Sequence, residues 1–174
     1  MRDVIAAIEG EYRRYQGLGH CTIEALNGGQ LCTKVSRSSL SVATIVWHIS
    51  GNLQSRFTDF LTEDGEKPWR EREDEFAVRT VTQSEVEAKW DEGWDVLLPV
   101  LAGLNDDDLQ KTVRIRGIEL TVAEALQRSL AHLAYHVGQM VFLGKMIAGD
   151  QWRYLSIPPG DTDAYNANPT LEKA

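Results

Sequence analysis

Apolar residues recur at three- and four-residue spacing in four long stretches of the chain. Between Asp3 and Leu26 the positions Val4, Ile5, Ile8, Tyr12, Tyr15, Leu18, Ile23 and Leu26 keep this rhythm until Asn27-Gly28-Gly29 stops it. A first helix is predicted there, with Gly17 and Gly19 weakening its middle. After a polar stretch through Ser36-Arg37-Ser38-Ser39, a second stripe of Val42, Ile45, Val46, Ile49, Leu53, Phe57 and Phe60 predicts a long helix over about residues 41 to 62. Asp64-Gly65-Glu66-Lys67-Pro68-Trp69-Arg70 reads as a loop, because Gly and Pro inside a charged run defeat helix and strand alike. Ser84 and Glu87 have the spacing of a capping box ahead of Val86, Trp90, Trp94, Leu97, Leu98 and Leu101, with Pro99 expected to kink or end that third helix early. From Lys111 to Leu120 the pattern alternates around Arg114-Ile115-Arg116-Gly117, which predicts a short hairpin or extended excursion. Thr121 and Glu124 form another capping box, and a fourth helix runs to about Ile147, where Ala148-Gly149-Asp150 ends it. The tail, residues 149–174, has no period and reads as an extended arm packed on the rest. The expectation is an all-α four-helix bundle forming a single domain over residues 1–174.

Composition narrows what such a bundle could do. At 174 residues with 43% apolar positions, the chain can bury a core without disulfide staples. Its formal charge of −8 opposes binding to nucleic acid or to an anionic membrane surface, since both need a basic patch. No apolar stretch approaches the roughly 18 residues of a membrane span. Cys21 and Cys32 fit no metal-ribbon spacing, and the N-terminal sequence has no basic segment followed by an apolar run, so a reducing cytoplasm is the expected location.

The candidate chemistry lies in the histidines. His132 and His136 stand four apart in the strongest predicted helix, so both rings project from one side, one turn apart, as two imidazoles sharing a metal ion require. On a helical wheel they flank the Leu126, Leu130, Leu133, Val137 stripe, in a sector shared with Ala125, Ser129 and Leu143. His48 lies similarly beside the Ile45, Ile49, Leu53 stripe of the second helix, near Asn52 and Asp59. The plain structural alternative is a chance i, i+4 pair satisfied by hydrogen bonds. The zinc-protease motif is absent, because Leu133 stands where its glutamate would follow the first histidine. His20 has no matching partner.

Several blocks in order resemble the DinB-like superfamily of metal-binding four-helix bundles, and within it a bacterial subfamily of unknown function. They are Trp47-His48-Ile49-Ser50-Gly51-Asn52, Arg56-Phe57-Thr58-Asp59-Phe60-Leu61, the loop 64–70, His132-Leu133-Ala134-Tyr135-His136-Val137-Gly138-Gln139, and the tail from Trp152 to Asn166. The resemblance implies a bundle with a long crossover connection, a homodimer, and a divalent metal ion held by His48, His132 and His136. Zn or Ni is the first expectation for that ion, with Fe or Mn also suited to three imidazoles. Characterised relatives include thiol S-transferases. The leading expectation is therefore a transferase joining a low-molecular-weight thiol cosubstrate to small electrophiles. A metal-dependent hydrolase and a non-catalytic metal-binding stress protein are the alternatives. Supporting roles fall to Asn52, one turn after His48; to Gln139, near His136; and to Arg128, one turn before His132, which could attract an anion. Arg56 and Asp59 are expected to pair with the charged loop, Tyr135 to pack, and Trp69, Trp90, Trp94 and Trp152 to anchor core or interface.

Overall fold

The computed structural model describes residues 1–170, so the last residues of the predicted tail lie outside it. Its α-helices are α1 (Asp3–Glu24), α2 (Gly28–Leu31), α3 (Val42–Phe57), α4 (Gln83–Gly103), α5 (Val122–Ala148) and α6 (Thr162–Ala167). A two-stranded antiparallel sheet of β1 (Thr112–Ile115) and β2 (Ile118–Thr121) precedes α5. The fold is mostly helical: α3 packs along α4 and onto α5, and α1 packs on both α4 and α5. Among the described residues no helix is long and apolar enough to cross a membrane.

The predicted stripes bury as their spacing requires. Ile45, Ile49 and Leu53 of α3 meet Trp90, Trp94 and Leu97 of α4 together with Leu126, Leu133 and Val137 of α5 in one core. Tyr12 is wholly buried from α1, and its hydroxyl donates to the Leu126 carbonyl at 2.8 Å, so burial leaves no unpaired polar group there. Gly19 is required by contact: a Cβ would stand 2.3 Å from the Trp90 ring.

Several local expectations need correction. The second helix ends at Phe57 rather than near residue 62, because Thr58 takes an extended backbone (ψ 125°) and Asp59 after it a left-handed one (φ 51°), which keeps the chain out of the helix. The box that starts α4 is Thr82 with Glu85, whose side chains exchange hydrogen bonds with each other's backbone N–H; Ser84 lies inside the helix. Pro99 does not end α4, which continues to Gly103. The carbonyl left without a partner, on Asp95, belongs to an exposed residue, as does Pro99, so water can take the missing bond. The tail is not wholly extended: it contains a turn of 3-10 helix (Gly149–Gln151) and α6. Trp152 anchors it on α5, close enough to Gly144 that a Cβ there would stand 2.8 Å from the indole. Of the two places expected for Trp69, core or interface, its half exposure excludes the core.

The hairpin and the loop 64–70 form one unit. Arg116 and Gly117 both have positive φ (56° and 75°), the pattern of a type I′ turn. Both of their N–H groups donate to Asp64, at 2.8 and 2.6 Å, which compensates the unfavourable backbone of Arg116. The Gly65 N–H donates to the Arg114 carbonyl, and the Gly65 carbonyl accepts from Ser55 and Arg56 of α3. The loop is thereby tied to the end of α3 and to the hairpin, and this fixes where the chain enters the segment that follows.

Candidate metal centre

His48 on α3 and His132 and His136 on α5 offer ligand nitrogens that all lie within 4.8 Å of one another. Two rigid helices place them: His132 and His136 one turn apart on α5, and His48 on the face of α3 turned towards α5. The wheel position beside the main stripes makes His48 and His136 buried and leaves His132 half-buried.

Hydrogen bonds select the face each ring presents. Glu75 Oε2 lies 2.8 Å from His48 Nδ1, and a carboxylate can only accept, so Nδ1 carries the proton and Nε2 keeps its lone pair. Gln139 Oε1 does the same for His136 Nδ1 at 2.9 Å. His48 Nε2 stands 3.2 Å from His132 Nε2. Two nitrogens each about 2.1 Å from a tetrahedral ion would lie roughly 3.4 Å apart, so this spacing fits joint ligation of one ion. A carboxylate or amide behind a ligating imidazole is the usual support of such centres.

Glu75 is itself held. Arg70 grips it with two hydrogen bonds, Nε to Oε1 at 2.7 Å and a terminal nitrogen to Oε2 at 3.0 Å, with both side chains buried. Arg79 donates to the Glu75 carbonyl while lying over the Trp47 ring, and Phe76 covers His48 with ring centroids 4.9 Å apart. The 3-10 turn Asp74–Phe76 thus delivers an acceptor and a lid to one histidine. Burial alone would raise the Glu75 pKa, but the bonds from His48 and Arg70 outweigh it and hold the carboxyl below the ordinary range. His132 is pushed down to about 4, first by burial and then by electrostatic repulsion from His136, His48, Arg70 and Arg56. Burial also lowers His136, against the raising effect of Gln139. Neutral imidazoles are the form that binds metal.

His48 and His132 open onto a cavity of about 690 Å³ between α3, α5 and the hairpin, walled on its apolar side by Phe57, Phe60, Ile115 and Tyr135. Asn52 and Arg128 both line it, while Gln139 serves His136 from behind. Tyr135 is largely exposed, its ring edge-on to His136 at 4.9 Å. Arg56 pairs with Glu66 of the loop as expected; among the described residues Asp59 makes no ion pair. His20 stands beside Glu24 at the surface, 3.4 Å from its carboxylate.

Glu75 and Arg70 were not singled out by sequence reasoning, since a run such as Arg70-Glu71-Arg72-Glu73-Asp74-Glu75 has the composition of a solvated loop. One signal was available. Gly51 sits inside a helical stripe three residues after His48, and a Cβ there would stand 2.3 Å from Glu75 Oε1. A glycine at a helix interior costs stability, so it marks a close approach.

Comparison with curated proteins and with solved structures finds no match. A family model does match, over residues 2–161, with the description "Protein of unknown function (DUF1572)". Covering most of the chain, including all three histidines and their Glu75 and Gln139 supports, that match makes the chain a member of the DUF1572 family.

Proposed function

We propose that His48, His132 and His136 hold a divalent metal ion, Zn or Ni before Fe or Mn, and that the protein is a metal-dependent enzyme transferring a small thiol to an electrophilic substrate. The observation that carries this reading is the convergence of three imidazoles, two with their protons drawn away by Glu75 and Gln139, at the wall of a cavity. A bound ion would supply Lewis acidity, lowering the pKa of a thiol or water beside it. The chain's own residues do the rest. Glu75 and Gln139 orient the ligands, Asn52 offers a hydrogen bond to a bound molecule, and Phe57, Phe60 and Tyr135 give its apolar part a place out of water.

Thiol transfer is favoured over hydrolysis by the lining of the cavity, which among the described residues contains no aspartate or glutamate. A water on the ion could lose its proton to solvent, but hydrolysis also calls for an acid to protonate the leaving group, and Glu75 is fully engaged with His48 and Arg70. A thiol made acidic by the ion needs no protein base. The polar groups beside the histidines also favour a reactive site over a structural ion. We extend the reading to a DinB-type bundle acting as a cytoplasmic homodimer, to be checked by sedimentation.

The test is a screen of protein loaded with each ion, offering thiol plus a chlorinated or epoxide electrophile in one arm and ester or phosphoester substrates in the other. Metal-dependent thiol conjugation that disappears in His132→Ala is expected. Ester or phosphoester cleavage without conjugation would replace the reading with a hydrolase; activity in neither arm would leave a binding protein.

A further inference from the structure

The chain is acidic, yet the cavity beside the three histidines is not. Five of its twelve arginines, Arg56, Arg70, Arg72, Arg116 and Arg128, line this one cavity, and among the described residues no carboxylate does. A random draw from a chain with 26 acidic and 18 basic residues would give the opposite bias, and no lysine is among them. Guanidinium groups present a planar fork that matches a carboxylate or phosphate, which a lysine ammonium does not.

The charge is only partly neutralised by the protein itself. Arg70 is buried and committed to Glu75. Arg56 and Arg116 share Glu66 as their ion-pair partner, at 3.1 and 2.8 Å, while the neighbouring Asp64 carboxylate is taken up by the Arg116 and Gly117 backbone N–H groups. Arg72 pairs with exposed Glu73, an interaction that water screens. Arg128 makes no ion pair among the described residues. It projects from α5 one turn before His132, while Arg116 projects from the hairpin turn that Asp64 fixes. Phe57, Phe60 and Ile115 provide apolar wall in the same cavity.

We propose that this cavity binds an oxyanion, a carboxylate or phosphate group carried by a small molecule with an apolar body. Arg128 and the Arg56–Arg116 pair receive the anion, the body lies against the aromatic wall, and the remainder of the molecule reaches His48 and His132. That last placement rests on the metal-centre reading; the anion site does not. Its location explains how an acidic protein can draw a negatively charged substrate to one place, since charges lining a concave, low-dielectric wall focus the local field against the net charge.

Calorimetric titration of the full chain with phenylacetate, benzylphosphonate and the neutral isostere phenylacetamide tests this, in metal-free and Zn-loaded forms. Both anions are expected to bind the metal-free protein saturably, and the amide about tenfold more weakly or not at all, as one lost charge-assisted hydrogen bond implies. The relative affinity of the two anions assigns the ligand to the carboxylate or the phosphate class. Arg128→Gln should weaken both by about tenfold, Arg128→Lys by less, and the exposed position of Arg128 allows each variant to fold. His136→Ala, whose ring does not line the cavity, should lose metal and keep anion binding, which separates failure of the metal reading from failure of this one. Equal binding of acid and amide, indifference to Arg128, anion binding only when Zn is present, or no saturable binding of either anion would each overturn the proposal.

Discussion

His48 turns Nε2 towards its two neighbours because Nδ1 is engaged by the Glu75 carboxylate, which Arg70 in turn holds by two bonds. Removing the acceptor should therefore act on metal binding without touching a ligand. Glu75→Gln is expected to weaken metal affinity by about 10- to 100-fold in a chelator competition. Unchanged affinity would show that the ring needs no such support. The protonation of His132 is also open to measurement. In the metal-free protein its ring proton resonances should titrate near pH 4 rather than at the ordinary 6.5. The unfolded chain takes up this proton near 6.5 and the folded one near 4, so the unfolded state is favoured progressively as pH falls through that window. The His132 contribution to the stability of the metal-free protein should accordingly be lost between about pH 6.5 and 4 and change little below that; a midpoint for His132 near 6.5 would contradict the burial argument. At this scale the three histidines were legible, because helical spacing and a resemblance point to them. Glu75 and Arg70 were not, because whether a charged residue in a loop is buried depends on where the whole segment docks.

Helix periodicity located α1, α3, α4 and α5 because each buries one continuous apolar stripe. Boundaries depend on single residues and were less legible: Ser84 and Glu87 have capping-box spacing just as Thr82 and Glu85 do, and only packing of α4 decides between them. The segment between α3 and α4 carried no period at all, although it holds the support for His48. Its coupling to α3 makes a prediction about a glycine. Gly51→Ala ought to favour the isolated helix, yet the added methyl would displace Glu75. We expect α-helical circular dichroism to be preserved and metal affinity to fall at least as far as in Glu75→Gln; undiminished affinity would mean that the close contact is not needed. The two glycines of α1 should behave oppositely. Gly17→Ala, exposed and with open space around it, should stabilise by about 0.5–1 kcal/mol, whereas Gly19→Ala meets Trp90 and should destabilise. Denaturant titration of the pair checks both signs.

Across the molecule, α3 and α5 each bring ligands that are far apart in sequence, His48 and His132 being separated by 84 residues. An ion bound by all three would bridge two helices of the folded state and no comparable site in the unfolded chain. It should therefore add about 2.7 kcal/mol at a hundredfold excess over its dissociation constant. A chelator should lower Tm by roughly 5–10 °C in a chain of this length. The overall helical character was readable from sequence because it follows from apolar periodicity. The cavity was not, because it arises where a hairpin, two helices and a loop meet. The most direct test of the centre is metal analysis of protein purified without an affinity tag, wild type against His132→Ala. The account predicts about one divalent ion per wild-type chain and almost none in the variant. Equal metal content in the two would contradict it.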